Sequence, residues 1–496
     1  MKNKTPFLPG IPTQLCGKQK RRQLEELRDW LNTSLQSSVA DYGVLFSHIL
    51  PIEELRTVSG ETRTRTYPEM VTFWAWLSQI LDCNGSCSKA VTVVQQWYSD
   101  ANSAKKSGSK YKIPSNSSSS YCTARQRLST DFLDLVFEKI EAYTEARIDE
   151  SDLWYGFRLK AIDGSSTQLL DTEKNRKKYP QPSGQKAGCG FPVMGFSGIL
   201  DLAKGSIESY RLCKHTEHDL KIAHDMIDEL KGGDLLIADR AYCSYGFIAL
   251  LLGNGVQSVM RLHQARQRSL NWSEGTKLGK DSRLVIWRKG YRPPNSPMSQ
   301  VEWDNLPEEL PIRLIRSKGI SRDGKQRWMY VATTLTDSEL YDSEEMSALY
   351  EERWKIEVKF RDIKTTMQFE QLRVKSPELA EKSMKMIQIV YNLIKAIQLD
   401  SIGNHDIVLD EVSFKGTVDV ITEFRSTFSN LQNKPKLKAA ALANLEDRVA
   451  ERILVIRPGR TEPRATKKRP KRYQLLTDHR SVFVEVQHRA KYKKPA

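Results

Sequence analysis

Long apolar runs are scarce in this chain of 496 residues. The most apolar stretch, Met384 to Leu399, is broken by Lys385, Gln388, Asn392 and Lys395, which leaves it too short and too polar to span a bilayer. A cleavable leader is not expected, because Thr5 to Gly17 contains Pro and Gly and lacks a sustained apolar core. The seven cysteines are an odd number scattered over a long chain, which argues against a disulfide framework. Cys83 and Cys87 have no matching Cys or His pair nearby, so a structural zinc site is not expected either. Acidic charge is in deficit: Lys plus Arg exceeds Asp plus Glu by 77 − 61 = 16, and the pI is about 9.3. Such a surplus suits a polyanionic partner, either nucleic acid or an anionic membrane surface, and the membrane option is the weaker of the two. A reduced, cytoplasmic protein is expected.

At this length two to four domains are expected. Residues 1–151 read as a helical, basic region suited to binding DNA. Lys18 to Asn32 sets Leu24, Leu27 and Leu31 behind Lys18, Lys20, Arg21 and Arg22. Met70 to Leu81 and Ser88 to Tyr98 are apolar helices joined by the turn DCNGSC, a spacing compatible with a helix-turn-helix. Beyond a basic Ser/Asn-rich loop, Arg125 and Arg127 are candidate phosphate contacts.

From Trp154 the apolar period shortens. FRLKAIDGSS alternates as a strand and ends at Asp163 and Gly164, and Phe191 to Leu202 and Ser206 to Leu212 are β-like. DLLIA, Asp234 to Ala238, is a continuous apolar run that suits a buried central strand and leads to Asp239. Helices over His218 to Leu230 and Gly246 to Leu252, then a strand over Val256 to Leu262, complete a mixed α/β core within 152–400. A β-rich insertion interrupts that core at about 263–336. Residues 401–496 read as helical and end in the basic tail RATKKRPKRY; this region and Pro377 to Leu399 are candidate dimerisation surfaces.

The most informative stretch is Tyr350 to Lys364, YEERWKIEVKFRDIK, which reads as helix with Asp342 and Ser343 as its N-cap. At about 100° per residue, Tyr350, Arg353, Glu357 and Lys364 fall within roughly 60° of one another. Trp354, Ile356, Val358 and Phe360 surround these charges, so the helix is expected to be buried and its charges to need partners or a metal. Asp163, before Gly164, also suits a plain turn. Asp239 suits one less well, being followed by Arg240, Ala241 and Tyr242. Three carboxylates in one small site repel one another unless cations neutralise them. Two Mg2+ ions would do so, and would serve an in-line phosphoryl transfer.

The Asp in IDGSS, the Asp in IADRAY, then Tyr350, Arg353, Glu357 and Lys364 in that order and spacing, resemble the DDE transposases of bacterial insertion sequences. More narrowly, the spacing is similar to the Y-R-E-K signature of insertion sequence family four, over roughly Trp154 to Gln371. The resemblance implies a ribonuclease-H-like α/β catalytic core with a β-rich insertion, flanked by an α-helical N-terminal DNA-binding region and a helical C-terminal region. It implies that Asp163, Asp239 and Glu357 hold two Mg2+ ions, for which Mn2+ can substitute, while Tyr350, Arg353 and Lys364 contact phosphates at the transposon end. Arg240 and Tyr242, beside the second acid, are further candidate DNA contacts. A tryptophan of the insertion is implied to stack on a flipped base; of Trp272, Trp287 and Trp303 we take Trp287, with Arg288, Lys289 and Arg292 beside it. The implied activity is cut-and-paste transposition: binding of terminal inverted repeats, metal-dependent cleavage through a hairpin, and transfer of the 3′-OH to target DNA by a homodimer. The alternatives are a catalytically silent domesticated transposase that regulates by binding DNA, and a nuclease or resolvase with the same metal core.

Overall fold

In the computed structural model, residues 40–51, 54–55, 65–82, 85–104, 111–320, 326–403, 405–429, 431, 433–454 and 475–484 are described. The Lys18 to Asn32 segment and the tail RATKKRPKRY lie outside them.

Five strands form the centre: β1 (Arg158–Leu169), β2 (Val193–Asp201), β3 (Ile207–Lys214), β4 (Asp234–Ala238) and β5 (Gln257–Arg261). They lie in the order β3-β2-β1-β4-β5. β2 runs antiparallel to both of its neighbours, β1 and β3, β4 runs parallel to β1, and β5 runs parallel to β4. This is a ribonuclease-H-like mixed sheet. All five DLLIA positions of β4 are buried, as a strand covered on both faces requires.

Two expectations are corrected here. β1 does not end at Asp163 but runs on to Leu169, because β2 pairs with it through Gln168 and supplies hydrogen-bond partners to the Gly-Ser-Ser segment that reads locally as a turn. The insertion strands β6 (Thr276–Gly279), β7 (Ser282–Arg288), β8 (Glu309–Ile320) and β9 (Gln326–Thr333) extend the same sheet, in the order β5-β9-β8-β7-β6. A tenth strand, β10 (Gln371–Leu372), pairs with the end of β1.

The N-terminal helices are α1 (Ala40–Leu45), α2 (Glu69–Leu81), α3 (Cys87–Ala104), α4 (Ser119–Arg127) and α5 (Thr130–Glu145). Within the core come α6 (Glu173–Lys178), α7 (Asp219–His224), α8 (Tyr245–Gly253), α9 (Gln264–Arg268) and α10 (Gln300–Asp304). After the sheet follow α11 (Ser343–Glu351), α12 (Trp354–Arg361), α13 (Pro377–Gly403), α14 (Phe414–Phe424) and α15 (Pro435–Ala450). The segment His218 to Leu230, expected as one helix, is α7 followed by a 3-10 turn, Ile227–Glu229.

On the front face, Ala161, Met194, Phe196 and Leu200 share one apolar cluster with residues of α2, α5, α12, α13, α14 and α15. Leu235, Ile237, Val259 and Val331 pack on that face against Met346, Leu349 and Tyr350 of α11. On the back, Ile162, Leu236, Ala238 and Met260 meet α8 and insertion residues. The α2–α3 pair is a packed hairpin, with α2 buried from Met70 to Leu81.

Candidate active site

The register of the parallel strands builds the site. β1 and β4 keep one offset from Arg158↔Asp234 to Ile162↔Ala238, and β4 and β5 keep another from Leu235↔Gln257 to Ala238↔Met260. One step further along each strand stand Asp163, Asp239 and Arg261. They form a row across three neighbouring strands, which in sheets lie about 4.8 Å apart. Leu235 and Ile237 pack on the front face, and so does Ala161. The two-residue period of a strand therefore aims Asp239 and Asp163 to the same side. The β1–β4 ladder stops at Ile162 while the β1–β2 ladder continues, so the sheet opens on one edge of Asp163. Gly164 keeps the next position clear, because a Cβ there would lie 3.2 Å from Asp219 Oδ1. The Gly164 backbone N–H also donates to Asp163 Oδ1 at 2.8 Å.

The Tyr350 to Lys364 stretch is not one continuous helix. α11 ends at Glu351 and α12 begins at Trp354; Glu352 and Arg353 between them keep helical backbone angles but hydrogen-bond as a tighter turn, and a π-helical turn, Asp362–Thr366, follows. The expected cap is present, with Asp342 Oδ2 accepting from the Glu344 N–H at 2.7 Å. Burial around the girth is incomplete: Ile356 and Phe360 are buried, but Trp354 is 58% exposed. Phe360 meets Phe196 edge-on with ring centroids 5.3 Å apart, which seats α12 on β2.

Despite the tighter turn, all six expected residues converge. Arg353 Nη2 donates to Glu357 Oε1 at 2.8 Å, and its Nη1 stands 4.0 Å from Asp163 Oδ2. Burial pushes the Asp163 carboxyl up to about 6; Gly164 and Arg353 oppose this, while Glu357 and Asp239 add to it. Burial pushes the Tyr350 hydroxyl up to about 12, with Asp239 adding to the effect and Arg353 and Arg261 opposing it. Burial disfavours the Arg353 charge, but the bond to Glu357, with Tyr350 and Asp239, outweighs it and the pKa rises. The Lys364 ammonium is pushed down by burial, in part offset by Glu370 and Asp163. Arg261 was not singled out from sequence, and it completes the row as a cation beside the acids.

Among the described residues, no three His, Cys, Asp or Glu side chains are arranged to hold one metal ion. Glu357 is turned to Arg353, which takes the place of a cation beside Asp163. The donor chemistry itself fits a hard divalent ion. The three acids offer only carboxylate oxygens, and burial, which Arg353 only partly offsets, disfavours the ionised Asp163 unless a further cation is supplied.

A family model described as the transposase DDE domain matches residues 154–393. The transposase InsG for insertion sequence element IS4, from Escherichia coli (strain K12), is 28% identical over 361 residues, covering 71% of this chain and 76% of that protein. Over residues 154–393 the chain carries a transposase DDE domain. Together the two matches support a DDE transposase of the IS4 kind, a family that implies DNA cleavage and strand transfer. Among solved structures, the cryo-EM piggyBac transposase synaptic complex with hairpin DNA overlaps with a TM-score of 0.41 and 12% identity, over 88% of this chain and 90% of that one, a likeness too loose to carry weight.

The other residues expected to touch DNA are placed variously in the transposase. Arg240 is exposed beside Asp239, and Arg127 is exposed at the end of α4. Three placements are corrections. Tyr242 is 1% exposed and packs in the back-face core, so it presents no surface to DNA. Trp287 is 7% exposed, with the Arg266 guanidinium 3.9 Å over its ring, which makes it a packing residue and no free stacking platform. Arg125 is 7% exposed, lies 4.1 Å over the Trp76 ring and donates to Cys87 Sγ at 3.5 Å. Alternation along β7 and α4 predicts these burials only once the partner surfaces are known.

Proposed function

We propose that Asp163, Asp239 and Glu357 of this transposase hold two divalent ions, Mg2+ or in its place Mn2+, and that Tyr350, Arg353, Lys364 and Arg240 hold the DNA backbone at the element's ends. The observation that supports this reading is the row of Asp163 and Asp239 on adjacent parallel strands, faced by Glu357 through Arg353. When bound, the ions would activate the attacking oxygen and neutralise the charge on the leaving one. Glu357 serves as a ligand once its oxygen leaves Arg353. Arg353, so released, is free to take a phosphate oxygen, and a planar guanidinium suits that partner. Tyr350 keeps its proton at neutral pH and therefore donates to phosphate rather than repelling it.

The reaction is cut-and-paste transposition of an insertion sequence: recognition of terminal inverted repeats, strand cleavage through a hairpin, and joining of the 3′-OH to target DNA. Recognition is assigned to residues 1–151 and the basic tail, and the working form is a homodimer acting on DNA in the cytoplasm. Among the described residues no helix is long and apolar enough to cross a membrane.

The test is a cleavage and joining assay with the full-length protein, DNA carrying the ends of the encoding element, and Mg2+. Wild type joins strands, while Asp239→Ala and Glu357→Ala bind the ends yet neither nick nor join. Cleavage by either variant at the wild-type rate removes that acid from the site.

A further inference from the structure

α12 is a helix of eight residues, Trp354–Arg361, bounded by the tighter turn before it and the π-helical turn after it. The backbone stays helical through both junctions but its regular hydrogen bonding changes at each, so side-chain contacts share in setting the rotation of α12 about its own axis. Ile356 and Phe360 anchor it by packing, but packing alone tolerates small rotations. A second set of contacts lies on its far side. Lys355 Nζ meets Asp410 Oδ2 at 2.6 Å, and Lys359 Nζ meets Asp410 Oδ1 at 2.6 Å. One carboxylate thus bridges two lysines one helical turn apart. At about 100° per residue, Glu357 points roughly 160–200° away from both, toward Arg353 and Asp163.

Asp410 is itself held firmly. It sits on the 3-10 turn Leu409–Glu411. Leu409 is buried, Glu411 O accepts from the Leu454 N–H at 2.7 Å, and Val412 bridges to Ile453. Burial would raise the Asp410 carboxyl, but Lys359 and Lys355 outweigh it and hold it well below the usual range, so the clamp is charged at neutral pH. Lys395 lies under the cluster, fully buried, where burial holds its pKa well below the ordinary value, and its Nζ donates to Gln398 Oε1 at 2.7 Å, which leaves both Asp410 oxygens to α12. Asp410 lies outside the matched DDE domain, residues 154–393.

We propose that Asp410 is a positioning residue for strand cleavage: through Lys355 and Lys359, the C-terminal region sets the rotation of α12 and thereby aims Glu357 at the two aspartates. The proposal rests on the assignment of Glu357 above. It predicts that the C-terminal region does more than add bulk or a dimer surface, since its first turn after α13 controls a catalytic side chain.

The test combines hydrogen exchange of the full-length protein without metal with the cleavage assay. In Asp410→Asn, amides 354–361 exchange at least tenfold faster than in wild type, while those of α11 are unchanged. Cleavage falls about tenfold or more at unchanged affinity for end DNA, and Asp410→Glu recovers part of both. Lys355→Gln, at a more exposed position, gives a smaller change of the same kind and serves if Asp410→Asn does not fold. Unchanged exchange over 354–361 overturns the proposal, and so does faster exchange with wild-type cleavage. Retained cleavage by Glu357→Ala instead refutes the active-site assignment, a failure read separately from the exchange of α12.

Discussion

Two carboxylates along β1 have opposite fates. Near its start, Asp201 of β2 is fully buried and accepts from Arg158 Nε at 2.7 Å and Lys160 Nζ at 2.9 Å. The same cluster continues through Lys160 to Glu208 at 2.5 Å, Arg158 to Glu145 at 2.9 Å and Lys204 to Glu141 at 2.6 Å. Burial alone would raise Asp201, but Lys160, Arg158 and Lys204 hold it below its ordinary value. Three residues beyond Lys160, Asp163 has one cation, at 4.0 Å, and is raised to about 6. The first cluster is closed and joins α5 to the sheet. The second is under-compensated, and a carboxylate left short of cations in a cleft marks a place where a ligand supplies the charge. Asp201 is sealed from solvent while Asp163 keeps 26% of its side chain exposed, so both access and partner count separate structure from chemistry.

The largest effect in this comparison comes from breaking the closed cluster. Asp201→Asn leaves Arg158 and Lys160 facing too few acids in a buried setting and costs about 3–5 kcal/mol, read from the denaturant midpoint. Neutralising the open site acts in the other direction. A carboxyl whose folded pKa is raised costs stability when ionised: the cost is absent below about pH 4, grows between about 4 and 6, and is complete above 6. Asp163→Asn removes it, so the variant is more stable than wild type by on the order of 2–3 kcal/mol at pH 8 without divalent ions, and equal to it below pH 4. It also loses cleavage. A variant no more stable at pH 8 than at pH 4, relative to wild type, contradicts the picture of a carboxylate whose charge burial penalises. The smallest effect extends the contrast to α4. Arg125→Ala loses its stacking on Trp76 and about 1–2 kcal/mol, whereas Arg127→Ala, exposed, stays within about 0.5 kcal/mol. Unfolding of the two proteins side by side checks this, and a gel shift on end DNA shows whether Arg127 alone affects binding.

Local signals were strong where a single element decides the outcome. DLLIA was legible as β4 because four consecutive apolar residues between Asp234 and Asp239 suit a strand covered on both faces. Asp342 was legible as a cap, and the spacing of Tyr350, Arg353, Glu357 and Lys364 was legible as one site even though the helix that carries them is interrupted. Residues whose role depends on a neighbouring strand or helix were not. Arg261 carries no motif, and its place beside Asp239 comes from the offset between β4 and β5. Trp287 and Tyr242 look like usable aromatics in a linear reading and prove to be core once β7 and the 239–244 turn are packed.

By itself, the sequence determined the chemistry on offer: three acids in order, an aromatic hydroxyl and two cations at helical spacing, and a basic surplus suited to DNA. Strand order, the row of Asp163, Asp239 and Arg261, the placement of Arg353 between acids, and the grip of Asp410 on α12 were decided only by the tertiary structure. Periodicity and capping act over a few residues and can be read along the chain. Register, burial and ion pairing join residues tens to hundreds of positions apart, and they exist only after the chain has folded.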